Sequence, residues 1–555
     1  MPSMLPPSEG PDPLRDYDVI VVGSGIGGLT AAALLATIRH DRVLVLESHF
    51  KLGGFTHTFQ RKGYHWDVGI HYLGGLGEGQ TLRGLYDIVT GGHVKWQQMP
   101  HILEVFHYPG LTFEVPSDPG EYAAALAATF PDEAAAITAY FKDVRRASDW
   151  YGRESYRWSA PAALRLGFGA AGLRDRRLGL TTTKDYLERR FRDPRLRAVV
   201  ASQWGDYGVP PARSAFAMHA MVVQHYLKGG WYPVGSSKGI ADGAREVIEA
   251  AGGTCLVNHR VDEILVEDGR ATGVKVSFKK GRGPRTAEFR APVVISDAGA
   301  HTTASRLLPS GTARRLEAAV TTSSPSISTV TLYLGLSDSP QTLGFTGSNH
   351  WFYESFDHDA NAARWAGVLD GDPPGVYLSF PSLKDPDATR HTAEIIAFVE
   401  HDAFEPWSSE PWKRRGPAYE DLKSRIAAGM VALVERAYPG FAELIAYQEL
   451  STPLTVEDFT GHRAGGIYGL QATPERIRNQ LVPARTEIDG LLIAGADACS
   501  PGVAGAMMGG VFATGVLLGA QGFPQIMALA KRKAREPRGM TPGEFARRFP
   551  PGARA

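Results

Sequence analysis

The first strong pattern of hydrophobic positions lies near the start of the chain. Four consecutive apolar residues, Val19–Val22, have the length and the β-branched content of a buried parallel strand. A stretch rich in Ala and Leu follows at helical length, and a second apolar run, residues 42–46, ends at Glu47. Strand, helix and strand in this order predict a βαβ unit within a parallel sheet.

Periodicity in the rest of the chain predicts further helices and strands. Apolar residues recur at helical spacing in residues 122–144, and residues 118–200 are predicted to be mostly helical. A hairpin is predicted at residues 255–278, because a turn sequence separates two strand-like runs. Residues 325–480 alternate strands, predicted at Thr329–Leu334, Gly375–Phe380 and Glu394–Val399, with helices. A last strand at residues 491–494 precedes a glycine-rich helix. This alternation is typical of the α/β class.

Composition limits the protein's class and location. The chain has 555 residues, of which 43% are hydrophobic and 21% charged, as in folded proteins with more than one domain. Its formal net charge is zero and it carries no nucleic-acid-binding motif, so nucleic acid is not expected as a partner. Two cysteines, Cys255 and Cys499, supply neither a disulfide framework nor a metal cluster. Without an apolar run of about 20 residues, we expect a cytoplasmic protein, soluble or peripheral on a membrane.

A glycine loop joins the first strand to the first helix. Residues Gly23–Gly28 fit the pattern G-x-G-x-x-G, and Glu47 follows at the end of the second strand. Gly23 permits the tight turn, Gly25 lets the backbone approach a pyrophosphate, and Gly28 lets helix and strand pack closely. A carboxylate at this distance reaches a ribose hydroxyl, and the helix N-terminus favours phosphate. The sequence therefore predicts a dinucleotide site.

The segment from Arg145 to Arg197 is unusually basic. It contains 14 Lys and Arg residues against 6 Asp and Glu, interrupted by Trp150, Trp158 and an apolar stretch at residues 164–173. Basic residues interleaved with large apolar ones are typical of a surface that lies on anionic lipid headgroups. The alternative is a pair of solvated arginine-rich helices that cover the substrate domain.

Motifs spread over residues 16–520 resemble a family of FAD-dependent oxidoreductases. This family contains carotenoid desaturases, carotenoid isomerases and retinol saturases, and the retinol saturases are the more similar branch. The motifs that carry the resemblance are Gly23–Gly28 with Glu47, Gly53-Gly54, Asp67–Tyr72, Asp206–Val209, Gln224–Tyr226, Tyr232–Gly235, Ala403–Trp407, Arg415–Glu420, Pro453–Thr455, Tyr468-Gly469, Gly495–Asp497 and Pro501-Gly502.

The resemblance implies FAD as the cofactor and also implies its binding residues. Motif spacing itself supports the pyrophosphate on the glycine loop and the ribose at Glu47. Adenine near Val261 and the flavin ring near Asp497 are implied by the resemblance alone. The implied cofactor-binding residues are Gly23, Ser24, Gly25, Ile26, Gly27, Gly28, Glu47, Ser48, Gly53, Gly54, Thr56, Val261, Asp497, Val503, Ala504 and Met507. No metal site is predicted.

The predicted fold class is α/β, with two interleaved domains. One is a Rossmann-type FAD-binding domain like that of glutathione reductase, and the other is a substrate domain of mixed sheet and helices. The predicted boundaries are a lead-in at 1–15, the FAD-binding domain at 16–75, 231–324 and 485–521, the substrate domain at 76–230 and 325–484, and a basic tail at 522–555.

Saturating a polyene bond requires a hydride on one carbon and a proton on the other. The chain has one complete dinucleotide fingerprint, so we expect tightly bound FAD and an external electron donor or acceptor. A Tyr or His beside the substrate is the expected proton donor. The candidates are Tyr207, His225, Tyr226 and His71. For each of them, an ordinary buried aromatic or histidine is the alternative.

The predicted function is the reduction of a double bond in a retinoid or carotenoid. A carotenoid cis–trans isomerase or desaturase using FAD is the first alternative, since motifs separate these activities poorly. A non-catalytic polyene-binding protein is a second alternative from a different class. A flavin amine oxidase is compatible with the fold, but no residues indicate an amine site.

Overall fold

In a computed structural model, the structure is described for residues 17–160, 172–280, 283–479 and 482–536. The lead-in predicted at residues 1–15 and the part of the predicted basic tail from residue 537 to 555 lie outside the described residues. The strands of the described part, in chain order, are β1 Val19–Val22, β2 Val43–Leu46, β3 Thr58–Arg61, β4 Tyr64–Asp67, β5 Trp96–Gln98, β6 Ile102–Tyr108, β7 Leu111–Pro116, β8 Trp231–Pro233, β9 Thr254–Leu256, β10 His259–Glu267, β11 Arg270–Lys280, β12 Gly283–Arg290, β13 Val294–Ser296, β14 Ser328–Leu336, β15 Asn349–Tyr353, β16 Gly375–Ser379, β17 Thr392–Val399, β18 Ile445–Ser451 and β19 Leu491–Ile493.

Helices separate these strands and cover both large sheets. The α-helices of the described part are α1 Ile26–Ile38, α2 Thr81–Val89, α3 Pro119–Thr129, α4 Ala134–Ser159, α5 Leu173–Gly179, α6 Thr183–Arg190, α7 Pro194–Ala201, α8 Phe216–Tyr226, α9 Lys238–Ala250, α10 Ala300–Thr302, α11 Arg314–Thr322, α12 His358–Ala362, α13 Pro381–Lys384, α14 Gly416–Ala437, α15 Pro453–Thr460, α16 Pro474–Asn479, α17 Gly502–Leu517 and α18 Gly522–Lys533.

The first sheet is parallel and contains five strands in the order β19-β13-β1-β2-β9. The central strand β1 pairs with β2 on one side and β13 on the other, and all four of its residues are buried. Three separate parts of the chain supply these strands, as the predicted interleaving requires. The α/β class with a Rossmann-type domain is thereby confirmed.

The second sheet is mixed and contains seven strands in the order β18-β14-β17-β16-β15-β6-β7. Strand β15 runs parallel to β6, whereas its other neighbour, β16, is antiparallel. Strands β14, β16 and β17 lie near residues where strands were predicted, but β6, β7, β15 and β18 were not predicted. Strands β6 and β7 form a hairpin, which joins the sheet only through β15, and β18 joins it only through β14, so both connections link parts of the chain that are far apart in sequence.

Alternation along the second sheet divides its two faces. Leu332, Leu378 and Ile395 point to one side, into a core covered by α14. Their neighbours Thr331, Tyr377 and Ile396 point to the other side and are aligned across the strands. Because side chains in a strand alternate between the faces, the second face presents a continuous row of side chains toward the parallel sheet.

The predicted hairpin at residues 255–278 is part of a larger antiparallel sheet. Strands β10 and β11 form the hairpin, and β12 adds a third strand that was not predicted. The sequence of β12 is largely polar and exposed, with Phe289 as its one buried residue, so it lacks the hydrophobic alternation that signals a strand.

The basic segment is folded back on itself by ion pairs in its described part. Arg146 contacts both Asp143 and Asp175, and Arg190 contacts Asp143. Trp150 is only 5% exposed, so it packs inward and does not face outward. Residues 161–171, which hold most of the apolar stretch, lie outside the described residues. Contact with a membrane through this segment therefore stays a prediction.

The apolar stretch after Pro501 forms helix α17, which packs against α1 and is mostly buried. No helix in the described part of the chain is both long enough and apolar enough to cross a membrane.

Candidate active site

A cavity of about 900 Å³ runs between the parallel sheet and the second sheet. Ligand and cofactor sites are typically concave spaces of a few hundred to about 1,000 Å³, so this volume suits a large ligand. One end is lined by the glycine loop and the other by the row of side chains from the second sheet.

The glycine loop leaves the start of helix α1 open to the cavity. The helix begins at Ile26 without a side-chain cap and without an acidic residue in its first turn. Without a side-chain cap, the positive end of the helix dipole faces the cavity and attracts an anion. Gly23 has a φ of +92°, a conformation that side chains disfavour. These features fit a pyrophosphate.

Glu47 lies at the end of β2, as the motif predicts, and lines the cavity. Its Oε2 accepts hydrogen bonds from the Ser24 backbone N–H at 2.8 Å and from Ser24 Oγ at 2.6 Å. Its Oε1 accepts from the backbone N–H of His49 at 2.8 Å. Ser48 Oγ also donates to Oε1, at 3.2 Å. Four donors therefore fix this carboxylate against the glycine loop, within reach of a ribose hydroxyl.

Two more carboxyl groups lie beside the loop. Asp497 accepts the backbone N–H of Ala300 and that of Leu470, both at 2.8 Å, so it ties three chain segments together. Asp297 lies against the loop glycines, and its buried Oδ2 has no hydrogen-bond partner among the described residues. Burial, with smaller contributions from the charges of Glu47 and Asp497, raises the pKa of Asp297 to about 8, although the nearby backbone N–H groups of Gly28 and Gly25 oppose this rise.

Most of the implied cofactor-binding residues line this cavity. Three of them do not. Gly28 packs behind the loop, where an added Cβ would lie 2.5 Å from the carbonyl oxygen of Gly23. Met507 is fully buried in the core, and Ala504 lies on α17 outside the cavity wall. Val503 and Ala506 supply the contact of this helix with the cavity. The assignment of these residues to FAD stays a prediction.

The far end of the cavity is largely aromatic and aliphatic. The described residues that line it are Gly205, Asp206, Thr329, Thr331, Tyr333, Trp351, Tyr377, Ile396, Phe398, Ile467 and Tyr468, with His71 between the two ends. Such a wall suits an apolar ligand with few polar groups.

A buried polar network supports this end from behind. Lys384 Nζ donates to the carbonyl oxygen of His71 at 2.9 Å, to Asn349 Oδ1 at 2.5 Å and to Ser379 Oγ at 2.7 Å. Asn349 in turn donates to Glu104 Oε1 at 3.0 Å. Burial lowers the pKa of Lys384, while nearby carboxylates oppose this shift, and burial raises the pKa of Glu104.

Asp206 was not among the predicted site residues, yet it lines the cavity. Tyr72 Oη donates to its Oδ2 at 2.6 Å, and Gln203 donates to the Tyr72 hydroxyl at 3.2 Å. Burial raises the pKa of Asp206 to about 7, and the hydrogen bond from Tyr72 opposes this rise. The sequence feature that could have indicated Asp206 as a site residue is its place in a polar motif after a predicted helix.

Of the predicted proton donors, His71 lines the cavity and the other three do not. Tyr207 is 1% exposed and packs in an aromatic core. His225 Nε2 accepts the backbone N–H of Gly74 at 2.8 Å, and Tyr226 stacks on Tyr72 with ring centroids 4.2 Å apart. These contacts hold the chain together around the cavity, and a catalytic role for any of the four stays a prediction.

Asp67 gives a stability prediction near this site. Its carboxylate accepts from the Ser237 backbone N–H at 2.9 Å and from Ser237 Oγ at 2.5 Å, and burial raises its pKa to about 7. The unfolded pKa is near 4, so its contribution to stability is complete below about pH 4 and is lost as pH rises to about 7. Relative to the native protein, Asp67→Asn should therefore gain about 1.4 kcal/mol in unfolding free energy per pH unit over this window.

Urea unfolding of the two proteins at a series of pH values measures this difference. The control is Asp262→Asn, because Asp262 lies in an ion pair with the largely exposed Arg260. The prediction would be contradicted if the difference in unfolding free energy between Asp67→Asn and the native protein stays constant between pH 4 and 7.

A glycine loop on a parallel sheet, opening into a cavity with an apolar wall, is typical of a Rossmann-type fold that binds a dinucleotide. The model of the NAD(P)-binding Rossmann-like domain family matches residues 21–89. The fold is similar to that of cyclohexylamine oxidase from Brevibacterium oxydans, with a TM-score of 0.57 and 16% identity over 93% of this chain and 99% of that one.

Relatives define the family more narrowly. All-trans-retinol 13,14-reductase of Danio rerio is 31% identical over 545 residues, covering 93% of this chain and 88% of that protein. The chloroplastic prolycopene isomerase of Arabidopsis thaliana is 28% identical over 503 residues, covering 88% of this chain and 80% of that protein. The chain belongs to the all-trans-retinol 13,14-reductase family and is an oxidoreductase.

Proposed function

We propose that this protein uses FAD to reduce a carbon–carbon double bond of a long polyene lipid. The observation that supports this most directly is the continuity of the cavity. It leads from the glycine loop and Glu47, past Gly54, to the apolar wall around Trp351 and Phe398. One cavity thus offers both a dinucleotide cradle and a place for an elongated apolar substrate.

The residues present fit FAD. The open start of α1 suits the pyrophosphate, Glu47 the ribose, and the small side chains of Val503 and Ala506 leave room for a flat ring system. When bound, FAD supplies hydride transfer to or from a carbon–carbon bond. Relatives are named for reactions on retinol and on prolycopene, which supports a polyene as substrate.

The chain itself would orient the substrate and exclude water. Trp351, Tyr377 and Phe398 present flat apolar surfaces along the wall, so an extended polyene can lie against them. An isolated polyene has little electronic bias between its carbons. Positioning in a dry cavity must therefore decide which double bond reacts. The electrons come from an external donor.

Isomerisation is a second candidate, because a prolycopene isomerase is among the relatives. It would use the same cavity and the same cofactor without a net change in the redox state of the polyene. Product mass separates the two reactions.

We also propose that the substrate is collected from a membrane. Phe50 lines the cavity and is 57% exposed, an unusual position for a large apolar side chain unless it meets a lipid or a partner. Trp412 and Phe459 pack beside each other with ring centroids 4.9 Å apart, and Phe50 and Phe459 lie 6.5 Å apart. This aromatic cluster supports contact with lipid at the cavity mouth.

One experiment tests these proposals together. The protein is reconstituted with FAD, reduced with dithionite without oxygen, and mixed with all-trans-retinol in vesicles that contain anionic lipid. We expect a product heavier by two hydrogens, return of the oxidised flavin spectrum, and sedimentation of the protein with the vesicles. An isomer of unchanged mass would favour the second candidate. Failure to bind FAD would contradict both the reduction and the isomerisation. Protein that stays in the supernatant would contradict the proposal that the substrate is collected from a membrane.

A further inference from the structure

Two residues from distant parts of the chain meet at the middle of the cavity wall. His71 follows β4, and its ring lines the cavity. Glu394 lies on β17, and alternation places it on the same face as the cavity-lining Ile396 and Phe398. His71 Nδ1 and Glu394 Oε2 are 2.9 Å apart. His71 therefore lies between this carboxyl group and the cavity.

We propose that His71 and Glu394 form a pair that holds one transferable proton, and that His71 passes this proton to the polyene while Glu394 positions the imidazole. The proposal rests on the proposed function for its substrate. Beyond that function, it identifies Glu394 as a positioning residue and selects His71 among the candidate proton donors.

Glu394 is a buried carboxyl group. Its side chain is 0% exposed, and neither carboxyl oxygen has a well-aligned hydrogen-bond donor among the described residues. A buried carboxylate without a partner is costly, so it either carries a proton or faces a cation. His71 Nδ1 is at ion-pair distance, and both arrangements leave one proton shared between the two groups.

Lys384 is close enough for its charge to interact with that of Glu394, but its ammonium group donates its hydrogen bonds to His71 O, Asn349 Oδ1 and Ser379 Oγ and not to this carboxyl group. Asp67 is a carboxylate and can only add negative charge near Glu394. The Lys384 contact instead fixes the backbone of His71, so the ring is held from two sides.

The geometry of imidazole then gives the transfer path. Because Nδ1 is the ring nitrogen next to the carboxyl group, Nε2 is the nitrogen that remains to exchange a proton with a ligand. The side chain of His71 is 18% exposed, and its ring meets Tyr377 edge-on with centroids 5.3 Å apart. The donor thus lies beside the wall along which the polyene is proposed to bind.

In the proposed step, one carbon–carbon π bond of the polyene breaks and two C–H bonds form. One hydrogen arrives as hydride from reduced flavin, which becomes oxidised, and the other arrives as the proton of the pair. Water returns a proton to the pair, and an external two-electron reductant restores the flavin.

The first test does not depend on catalysis. In protein labelled with ¹⁵N-histidine, the ring signals of His71, assigned by their loss in His71→Gln, report its protonation at a fixed neutral pH. We expect Glu394→Gln to shift these signals toward neutral imidazole, because the carboxylate that stabilises the charged ring is gone. The matched control is Glu449→Gln on β18, which lies two strands away from β17 in the same sheet, since Glu449 pairs with Arg61 instead. Ring signals that are identical in native protein and Glu394→Gln would overturn the pair.

The second test uses reduced holoprotein and all-trans-retinol in a single turnover. His71→Gln should slow the reaction by about 10² to 10⁴-fold, the usual contribution of a positioned acid, with FAD content unchanged. Glu394→Gln should slow it by at least about tenfold and move the loss of rate to lower pH, and Glu394→Asp should restore part of the rate. Full activity of His71→Gln would overturn the assignment of the donor. A loss of activity in Asp206→Asn but not in His71→Gln would overturn it as well.

The two tests separate the inference from the proposed function. If the ring signals respond as expected but native protein reduces no polyene, the pair stands and the proposed function fails. If polyene is reduced while His71→Gln keeps its rate, the function stands and the inference fails.

Discussion

Gly27→Ala is expected to remove the cofactor from the protein. A Cβ at position 27 would lie 2.5 Å from the backbone N and Cα of Gly495 and 2.6 Å from Asp297 Oδ1. Real Cβ atoms do not approach backbone so closely, and neither Gly495 nor the loop can move away cheaply, because both belong to the core of the parallel sheet. The loop must shift, and the N–H groups at the start of α1 lose their alignment.

We expect at least a hundredfold loss of FAD affinity, about 2.7 kcal/mol or more, and a lower melting temperature. Flavin absorbance of the purified variant and titration of its apoprotein with FAD measure the effect. The control is Gly152→Ala on the exposed side of α4, where an added Cβ meets nothing within 4 Å. That change should raise stability by about 0.5–1 kcal/mol, since alanine favours helix. Normal flavin content in Gly27→Ala would show that the loop does not carry the cofactor.

The glycine loop could be predicted from sequence because its parts are local. Strand, turn, helix and carboxylate all lie between Val19 and Glu47, so periodicity and motif spacing were enough to place them. The structure differs from this prediction only in detail. The second strand, for example, begins at Val43, whereas it was predicted to begin at residue 42.

The opposite wall of the cavity could not be predicted in this way. Trp351, Tyr377 and Ile396 line it together only because three antiparallel strands bring them into register. The local sequence of a strand does not determine which strand it will pair with. A shift of one residue in the pairing register would turn each of these side chains to the other face of the sheet.

The proton-donor candidates show the same limit. Aromatic and histidine side chains on an apolar helix could equally line a cavity or fill a core, and composition does not separate these cases. The helix α8 placed His225 and Tyr226 against Gly74 and Tyr72. Glu394 did carry a usable signal, since it is a single carboxylate within an apolar strand. A charge at such a position requires a partner.

Lys384→Met should have the largest effect on stability. The native ammonium group is 2% exposed and donates to three acceptors, so its removal leaves the carbonyl of His71, Asn349 Oδ1 and Ser379 Oγ without their donor. Glu104 also loses the positive charge next to it. Removing one partner from a buried charge network typically costs about 3–5 kcal/mol. Urea unfolding monitored by tryptophan fluorescence measures this loss.

Two further variants show whether charge, rather than side-chain volume, is responsible. Lys238→Met removes a lysine that is 66% exposed and paired with Asp242 on α9, and it should change stability by less than about 0.5 kcal/mol. Glu104→Gln combined with Lys384→Met should recover part of the loss, because neutral glutamine needs no cation. We expect a coupling of about 0.5–3 kcal/mol between the two positions. If the double variant is as unstable as the sum of the single variants, Lys384 stabilises the wall by packing and hydrogen bonds alone, and the cavity does not depend on a balance of buried charge.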